Sequence, residues 1–153
     1  MHFGKFILAV GVCFLIGFAG GLVTTPSITT WYADLVKPPF NPPNSIFGPV
    51  WTTLYLAMGI SLYRIWTSKK KATDRASHVF LVQLALNFLW SYVFFGLHLP
   101  WAAFIVIAAL WGFIFYTIRL FNPIDKLAAY LLVPYLAWVT FASYLNLAIA
   151  ILN

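Results

Sequence analysis

Three stretches of this chain set polar and aromatic side chains at helical spacing inside otherwise apolar sequence. Gln83, Asn87, Trp90, Ser91 and Phe94 fall at i, i+4, i+7, i+8 and i+11, so on a helix they share one face. Phe47, Trp51, Tyr55, Met58 and Leu62 form a second such face, and Tyr135, Trp138, Ala142, Leu145 and Asn146 a third. The chemistry open to these residues is recognition of a flat apolar molecule. Indole and phenol rings stack on its faces, N–H, O–H and amide groups reach its edge, and Ala142 leaves room for the plane. A plainer reading of the same residues, in which amides join helices and aromatics fill space, stays open at this stage.

Bond-breaking chemistry finds little support. The acids are Asp34, Asp74 and Asp125, all outside the apolar stretches, so paired-carboxylate catalysis and carboxylate-coupled ion transport are both disfavoured. Ser91 has no histidine near it on its helix, and Cys13 has no basic neighbour, so no nucleophile–base pair is visible. His2, His78 and His98 share no helical spacing, which argues against a metal site, and a single cysteine forms no internal disulfide. No cofactor is expected. The redox-active side chains left for any turnover are the tryptophans.

The elements that carry these faces are five long apolar runs: Phe6–Thr25, Ile46–Trp66, Val79–Leu99, Trp101–Ile118 and Leu127–Leu152. A helix needs about 20 residues to cross the hydrocarbon of a bilayer, and each run approaches or exceeds that. In lipid every backbone N–H and C=O must bond within the protein, which leaves helices or closed barrels, and the runs lack the alternation of barrel strands. With 63% hydrophobic and 8% charged residues, the 153-residue chain reads as one all-α integral membrane domain over 1–153, a five-transmembrane-helix bundle. The first run, although it resembles a signal peptide, is taken as a retained span.

Charge gives the topology. Lys5, Arg64, Lys69, Lys70, Lys71, Arg75, Arg119 and Lys126 all fall on one side of a five-span chain, and Lys37 falls on the other. The positive-inside rule places the N-terminus in the cytoplasm and the C-terminus outside. The net charge of +6 therefore reports orientation in a membrane, not nucleic-acid binding, and Lys69–Lys71 can touch anionic headgroups.

Most connections are short. The exception, Pro26–Asn44, is on the sparsely charged side and carries Trp31, Tyr32, Leu35 and Phe40 beside the stiff Lys37-Pro38-Pro39-Phe40-Asn41-Pro42-Pro43 segment. Thr25 followed by Pro26 predicts an N-cap and first residue of a short helix reaching about Leu35. The loop is expected to form a stiff lid over the outer mouth of the bundle, with Trp31, Tyr32, Pro38, Pro42 and Pro43 as its parts; an interfacial aromatic anchor is the alternative. In the first run Ala9, Cys13, Gly17 and Gly21 recur every four residues. This stripe lets another helix approach closely, and a neighbouring span is the expected partner rather than another subunit.

The motifs themselves carry a resemblance. Trp31-Tyr32, Lys37-Pro38, Pro42-Pro43, Phe47-Gly48-Pro49-Val50-Trp51, Leu54-Tyr55 and Met58-Gly59, followed by Gln83, Leu86-Asn87, Trp90, Phe94-Phe95, Leu132, Pro134-Tyr135, Trp138, Phe141-Ala142 and Leu145-Asn146, together resemble the TspO/MBR family of tryptophan-rich sensory and translocator proteins. The match runs in order from the first loop to the last span. It implies a five-helix bundle, a homodimer, and binding of porphyrins and of benzodiazepine- or isoquinoline-type ligands. It further implies that Trp51 and Trp138 flank the bound ring, with Tyr32, Asn87, Trp90 and Ala142 completing a pocket to which the helical faces add Phe47, Tyr55, Gln83, Ser91, Phe94, Tyr135 and Leu145. Two departures are visible. Ser45 stands where the family often has a second Trp after its Pro-Pro pair. After Leu145-Asn146 the chain reads to Asn153 without the Tyr and Arg of the mammalian cholesterol motif. The latter favours a bacterial plasma membrane as its location.

The leading expectation is a membrane sensor that binds a tetrapyrrole. The alternatives are an enzyme that degrades porphyrin with light and oxygen through Trp51 and Trp138, and a carrier of porphyrin or sterol across the bilayer.

Overall fold

The computed structural model describes residues 2–153, and among these every regular element is a helix. The elements are α1 (Phe3–Ile28), the short α2 (Trp31–Asp34), α3 (Asn44–Trp66), α4 (Thr73–Ser91), which runs on into a π-helical turn at Tyr92–Gly96, α5 (Pro100–Phe121), α6 (Lys126–Leu131) and α7 (Val133–Leu152). Five helical segments are long and apolar enough to span a bilayer: α1, α3, α4 with its π turn, α5, and α6 with α7. The protein is a multi-pass membrane protein of all-α class.

Local sequence explains the ends and breaks. Pro100 opens α5 at a position where its missing N–H costs nothing. Asp125 caps α6, its Oδ1 accepting from the Ala128 N–H at 3.1 Å. Pro134 has no N–H to give to the Tyr130 carbonyl one turn back, and the last span breaks at Leu132 into α6 and α7. Ala72 and His98, with φ of 70° and 58°, turn the chain through left-handed backbone into α4 and between the π turn and α5.

One element departs from the sequence reading. Thr25-Pro26 does not start a helix: α1 continues through Pro26 to Ile28, and the separate α2 is confined to four residues. A proline near a helix end removes few backbone bonds, and the Thr30 hydroxyl bonds the Pro26 carbonyl at 2.8 Å, which holds the turn together. The third span also begins earlier than the apolar run suggested, at Thr73, because Thr73–His78 are polar but still helical.

The spans form a ring: α1 packs on α3, α3 on α6, α6 and α7 on α5, α5 on α4, and α4 with its π turn on α1. The end where the positive charges gather, called the inner end for that charge, is tightly closed. A Cβ on Gly59 would stand 2.7 Å from the Val10 backbone, so α1 and α3 touch there almost backbone to backbone. Ser61 donates to the Ala128 carbonyl at 2.7 Å, and Arg64 pairs with Asp125 at 2.8 Å, joining α3 to α6 and its cap. The Arg64 guanidinium and the Ala128 N–H outweigh the cost of burial at Asp125 and hold its carboxyl below the usual carboxylate range. Lys5 bonds the Trp66 carbonyl and Lys70 the Pro123 carbonyl at the same end.

Towards the outer end the ring loosens. There α7 lies against α5, and what bridges α3 and α7 is aromatic: Phe47 with Trp138 at 5.9 Å between ring centres, and Trp51 with Tyr135 at 6.2 Å.

Candidate functional site

The space left in the outer half is a cavity of about 530 Å³. Volumes of about 300–1,000 Å³ are typical of small-molecule sites. Its walls are built from four directions. From α3 come Asn44, Phe47, Gly48, Trp51, Thr52 and Tyr55, one helical face; from the end of α4 and the π turn come Trp90, Ser91, Phe94 and Phe95; from α7 come Ala142, Leu145, Asn146 and Ile149. The fourth wall is α1, with Phe14, Gly17, Phe18, Gly20, Gly21, Thr24, Thr25 and Ile28, and Tyr32 of α2 closes over them.

The π turn has a visible use here. Its wider winding, with the Leu97 N–H bonding the Tyr92 carbonyl at 2.9 Å, lets the consecutive residues Phe94 and Phe95 both reach the cavity. Their rings meet edge to face at 4.8 Å. Trp90 stands between Phe94 and Trp51, and its Nε1 donates to Asn146 Oδ1 at 3.0 Å, while Asn146 donates to the Pro100 carbonyl at 2.8 Å. That relay fixes the indole plane.

Below the cavity lies a buried polar chain. The Tyr55 hydroxyl donates to Asn87 Oδ1 at 2.6 Å, and Asn87 Nδ2 donates to the Tyr135 hydroxyl at 2.8 Å. Trp51 stacks on Tyr55, with ring centres 5.7 Å apart. The outer loop forms the roof. Trp31 stacks on His98 at 4.4 Å and meets Phe94 edge-on at 5.5 Å. The Tyr32 hydroxyl donates to Asn41 Oδ1 at 3.1 Å, and burial pushes that phenol's pKa up, partly offset by this bond. On its other side the loop is tied to α7: Asn153 accepts from the Val36 N–H at 3.0 Å and donates to the Val36 carbonyl at 2.9 Å, and Phe40 stacks on Tyr144 at 5.2 Å.

Tyr32, Phe47, Trp51, Tyr55, Trp90, Ser91, Phe94, Ala142 and Leu145, all singled out in the sequence, line this cavity. Asn87 and Tyr135 do not; they are bonded to each other beneath its floor. Gln83 is deeper still, fully buried, with its Nε2 3.9 Å from Met58 Sδ. Trp138 is also absent from the lining. One to two turns nearer the inner end of α7 than Ala142 and Leu145, it packs behind Phe47 and against Phe141, with its indole nitrogen buried, so it supports the wall rather than facing Trp51 across the space. Of the loop residues, Tyr32 lines the cavity, whereas Trp31 braces the roof from outside and Pro38, Pro42 and Pro43 shape the backbone around it.

Sequence reasoning passed over the α1 wall. Its signal was present in the small residues: Gly17 and Gly21 belong to the stripe assigned to helix packing, and Gly17 does pack, since a Cβ there would stand 2.6 Å from the Tyr55 ring. Gly21, one turn further out, faces open space and lines the cavity. The lining contains no Asp, Glu, Lys, Arg or His. Such a chamber takes an uncharged, largely aromatic body and leaves ionic substituents to its edge.

Residues 9–152 match the TspO/MBR family. The chain belongs to that family. It is 45% identical over 153 residues to the tryptophan-rich protein TspO of Archaeoglobus fulgidus, covering all of this chain and 99% of the relative. It is 44% identical over 148 residues to the protein of the same name from Chlorobaculum tepidum, covering 95% and 94%. The translocator protein of Bos taurus is 38% identical over 133 residues, with 85% and 79% covered. A family of membrane sensors and translocators accounts for the architecture found here: a lipid-spanning bundle with a large aromatic chamber.

Proposed function

We propose that this protein is a membrane receptor that binds a porphyrin-type tetrapyrrole, or a benzodiazepine- or isoquinoline-type molecule of similar flatness, in the outer cavity, and that this binding serves tetrapyrrole regulation or a stress response. The observation that carries the reading is the uncharged chamber of about 530 Å³ walled by Trp51, Tyr55, Trp90 and Phe94. Stacking surfaces and a few fixed donors favour a planar ring system over a flexible chain. Trp51 is the principal platform, the Trp90 and Phe94 rings form the adjoining wall, Ala142 leaves clearance, and Tyr32 covers the site. The receptor is further read as a homodimer with its basic ends in the cytoplasm.

The test is a titration of protein in lipid nanodiscs with protoporphyrin, followed by tryptophan fluorescence and ligand absorbance. Saturable quenching at one ligand per chain, reversed by an isoquinoline competitor, is expected. A linear, unsaturable response equal to that of empty nanodiscs would overturn the reading.

A degrading activity is a second reading, favoured by the position of Trp51, whose oxidisable indole stands at the cavity surface beside Tyr55 and Trp90. It requires porphyrin loss that needs both light and oxygen and that fails in Trp51→Phe. The sealed inner end weighs against passage straight through the bundle.

A further inference from the structure

The geometry points to a lateral slot between the outer halves of α1 and α3 as the route by which ligand reaches the cavity, taken from the bilayer and not from the water above the loop. This rests on the receptor reading and adds its source: a molecule already dissolved among the lipid chains of the outer leaflet.

Facing stripes on the two helices define the slot. On α1 they include Phe18, Gly21 and Thr25, and on α3 Gly48 and Thr52; all line the cavity, and Phe18, Thr25, Gly48 and Thr52 are exposed, whereas Trp90 and Ser91 of α4 and Leu145 and Asn146 of α7, on the facing walls, are buried. Exposure confined to the α1 and α3 side of the lining marks a gap in the wall there. A Cβ added to Gly21 or Gly48 meets nothing within 4 Å, so neither glycine is there for close helix packing. The lower limit of the gap is equally definite: one turn further in, Gly17 is filled by the Tyr55 ring, and beyond it Gly59 meets Val10. The polar group on the α3 rim is satisfied within its own helix, Thr52 donating to the Gly48 carbonyl at 2.8 Å, so it presents little hydrogen-bonding demand to an apolar molecule sliding past.

The other directions are shut. The roof is held by Trp31 on His98, by the paired Asn153–Val36 bonds and by Phe40 on Tyr144. The floor is the Tyr55–Asn87–Tyr135 chain. A flat, poorly soluble molecule partitions into the membrane before it meets the protein, and its concentration there is what drives association.

The experiment compares two ways of blocking access in nanodiscs of phosphatidylcholine, with protoporphyrin dimethyl ester as probe and stopped-flow quenching as readout. Gly48→Leu and, independently on the facing helix, Gly21→Leu narrow the slot. A Phe40→Cys, Tyr144→Cys disulfide locks the roof without touching the cavity lining. If ligand passes through the slot, each leucine variant slows association and dissociation together by about tenfold or more, equivalent to adding about 1.4 kcal/mol to the barrier. The locked roof leaves the association rate at that of its reduced form, and the rate follows the ligand-to-lipid ratio. Unchanged kinetics in both leucine variants, or slowing by the roof disulfide, would overturn the slot. Thermal unfolding confirms that each variant is folded, and the open space at both positions makes that the expected result. Absence of saturable quenching in the unmodified protein would instead remove the receptor reading itself.

Discussion

Trp51 and Trp138 look equivalent in the sequence and are not equivalent in the structure, which makes their substitution a sharp test. Trp51 lines the cavity and is framed by Tyr55, Tyr135 and Trp90 at 5.7, 6.2 and 6.4 Å between ring centres. Trp138 is absent from the lining and packs on Phe47, which does line it. Truncating an aromatic platform under a flat ring costs about 1–3 kcal/mol in comparable stacked complexes. At about 1.4 kcal/mol per decade, Trp51→Ala should weaken porphyrin binding roughly 5- to 150-fold. Trp138→Ala, acting at one remove, should cost under about 0.5 kcal/mol, or about twofold. Trp51→Phe keeps a ring in place and should fall between wild type and the alanine variant. The assay is titration in nanodiscs read by the ligand's own absorbance, since tryptophan emission changes with the mutations themselves, and thermal unfolding shows that each variant remains folded. Equal losses for the two alanine variants, or a larger loss for Trp138→Ala, would refute the assignment of the cavity wall and restore a site in which the two indoles sandwich the ligand.

Further outcomes follow from the surrounding contacts. Asn87→Leu leaves the Tyr55 and Tyr135 hydroxyls without their partner and should lower stability by about 1–3 kcal/mol, measured by unfolding in detergent, while Tyr55→Phe in the same background should recover part of that loss. The folded-state pKa of Asp125 is depressed, so its contribution is present above the ordinary carboxylate range and is lost as pH falls through the depressed value; unfolding temperature should drop with acidification in wild type and much less in Asp125→Asn. Asn153→Ala removes both bonds to Val36, and deuterium exchange at the Val36 amide should quicken roughly fivefold for about 1 kcal/mol lost, with no change at buried core amides.

Periodicity made the interior faces legible. Gln83, Asn87, Trp90, Ser91 and Phe94 are all buried, as their shared helical face required; a polar amide in hydrocarbon turns inward, where Asn87 bonds Tyr55 and Tyr135 and Gln83 reaches Met58 Sδ alone. What periodicity leaves out is depth along the helix axis. Trp138 and Ala142 share a face, yet one lies behind the wall and the other on it, because the break at Leu132 and the bridging Phe47 ring decide where the chamber begins. The π turn was also invisible, since Tyr92–Gly96 has the composition of an ordinary apolar helix. Pro26 misled for a related reason: a proline can begin a helix or sit near the end of one, and the Thr30 side chain that settles the matter lies four residues away.

The asymmetry between the two ends of the bundle follows from where small and large residues meet. In the inner half a glycine on α3 meets the backbone of α1, and Ser61 and Arg64 reach across to α6 and its cap, so small volumes and short bonds draw the ring shut. In the outer half the α3 face changes to Tyr55, Trp51 and Phe47, while α1 opposes them with Gly17 and then Gly21. Tyr55 fills the space that Gly17 leaves, but Trp51 stacks on Tyr55 and leans, tilted, against Trp90, so nothing fills the space beside Gly21. A bundle that closes at one end and leaves space at the other has the shape of a cup. Aromatic rings packed on one another, Trp51 on Tyr55 and Phe94 on Phe95, frame that cup. On the proposed receptor reading, the cost of binding falls on displacing lipid from the slot and on ordering the roof around Tyr32.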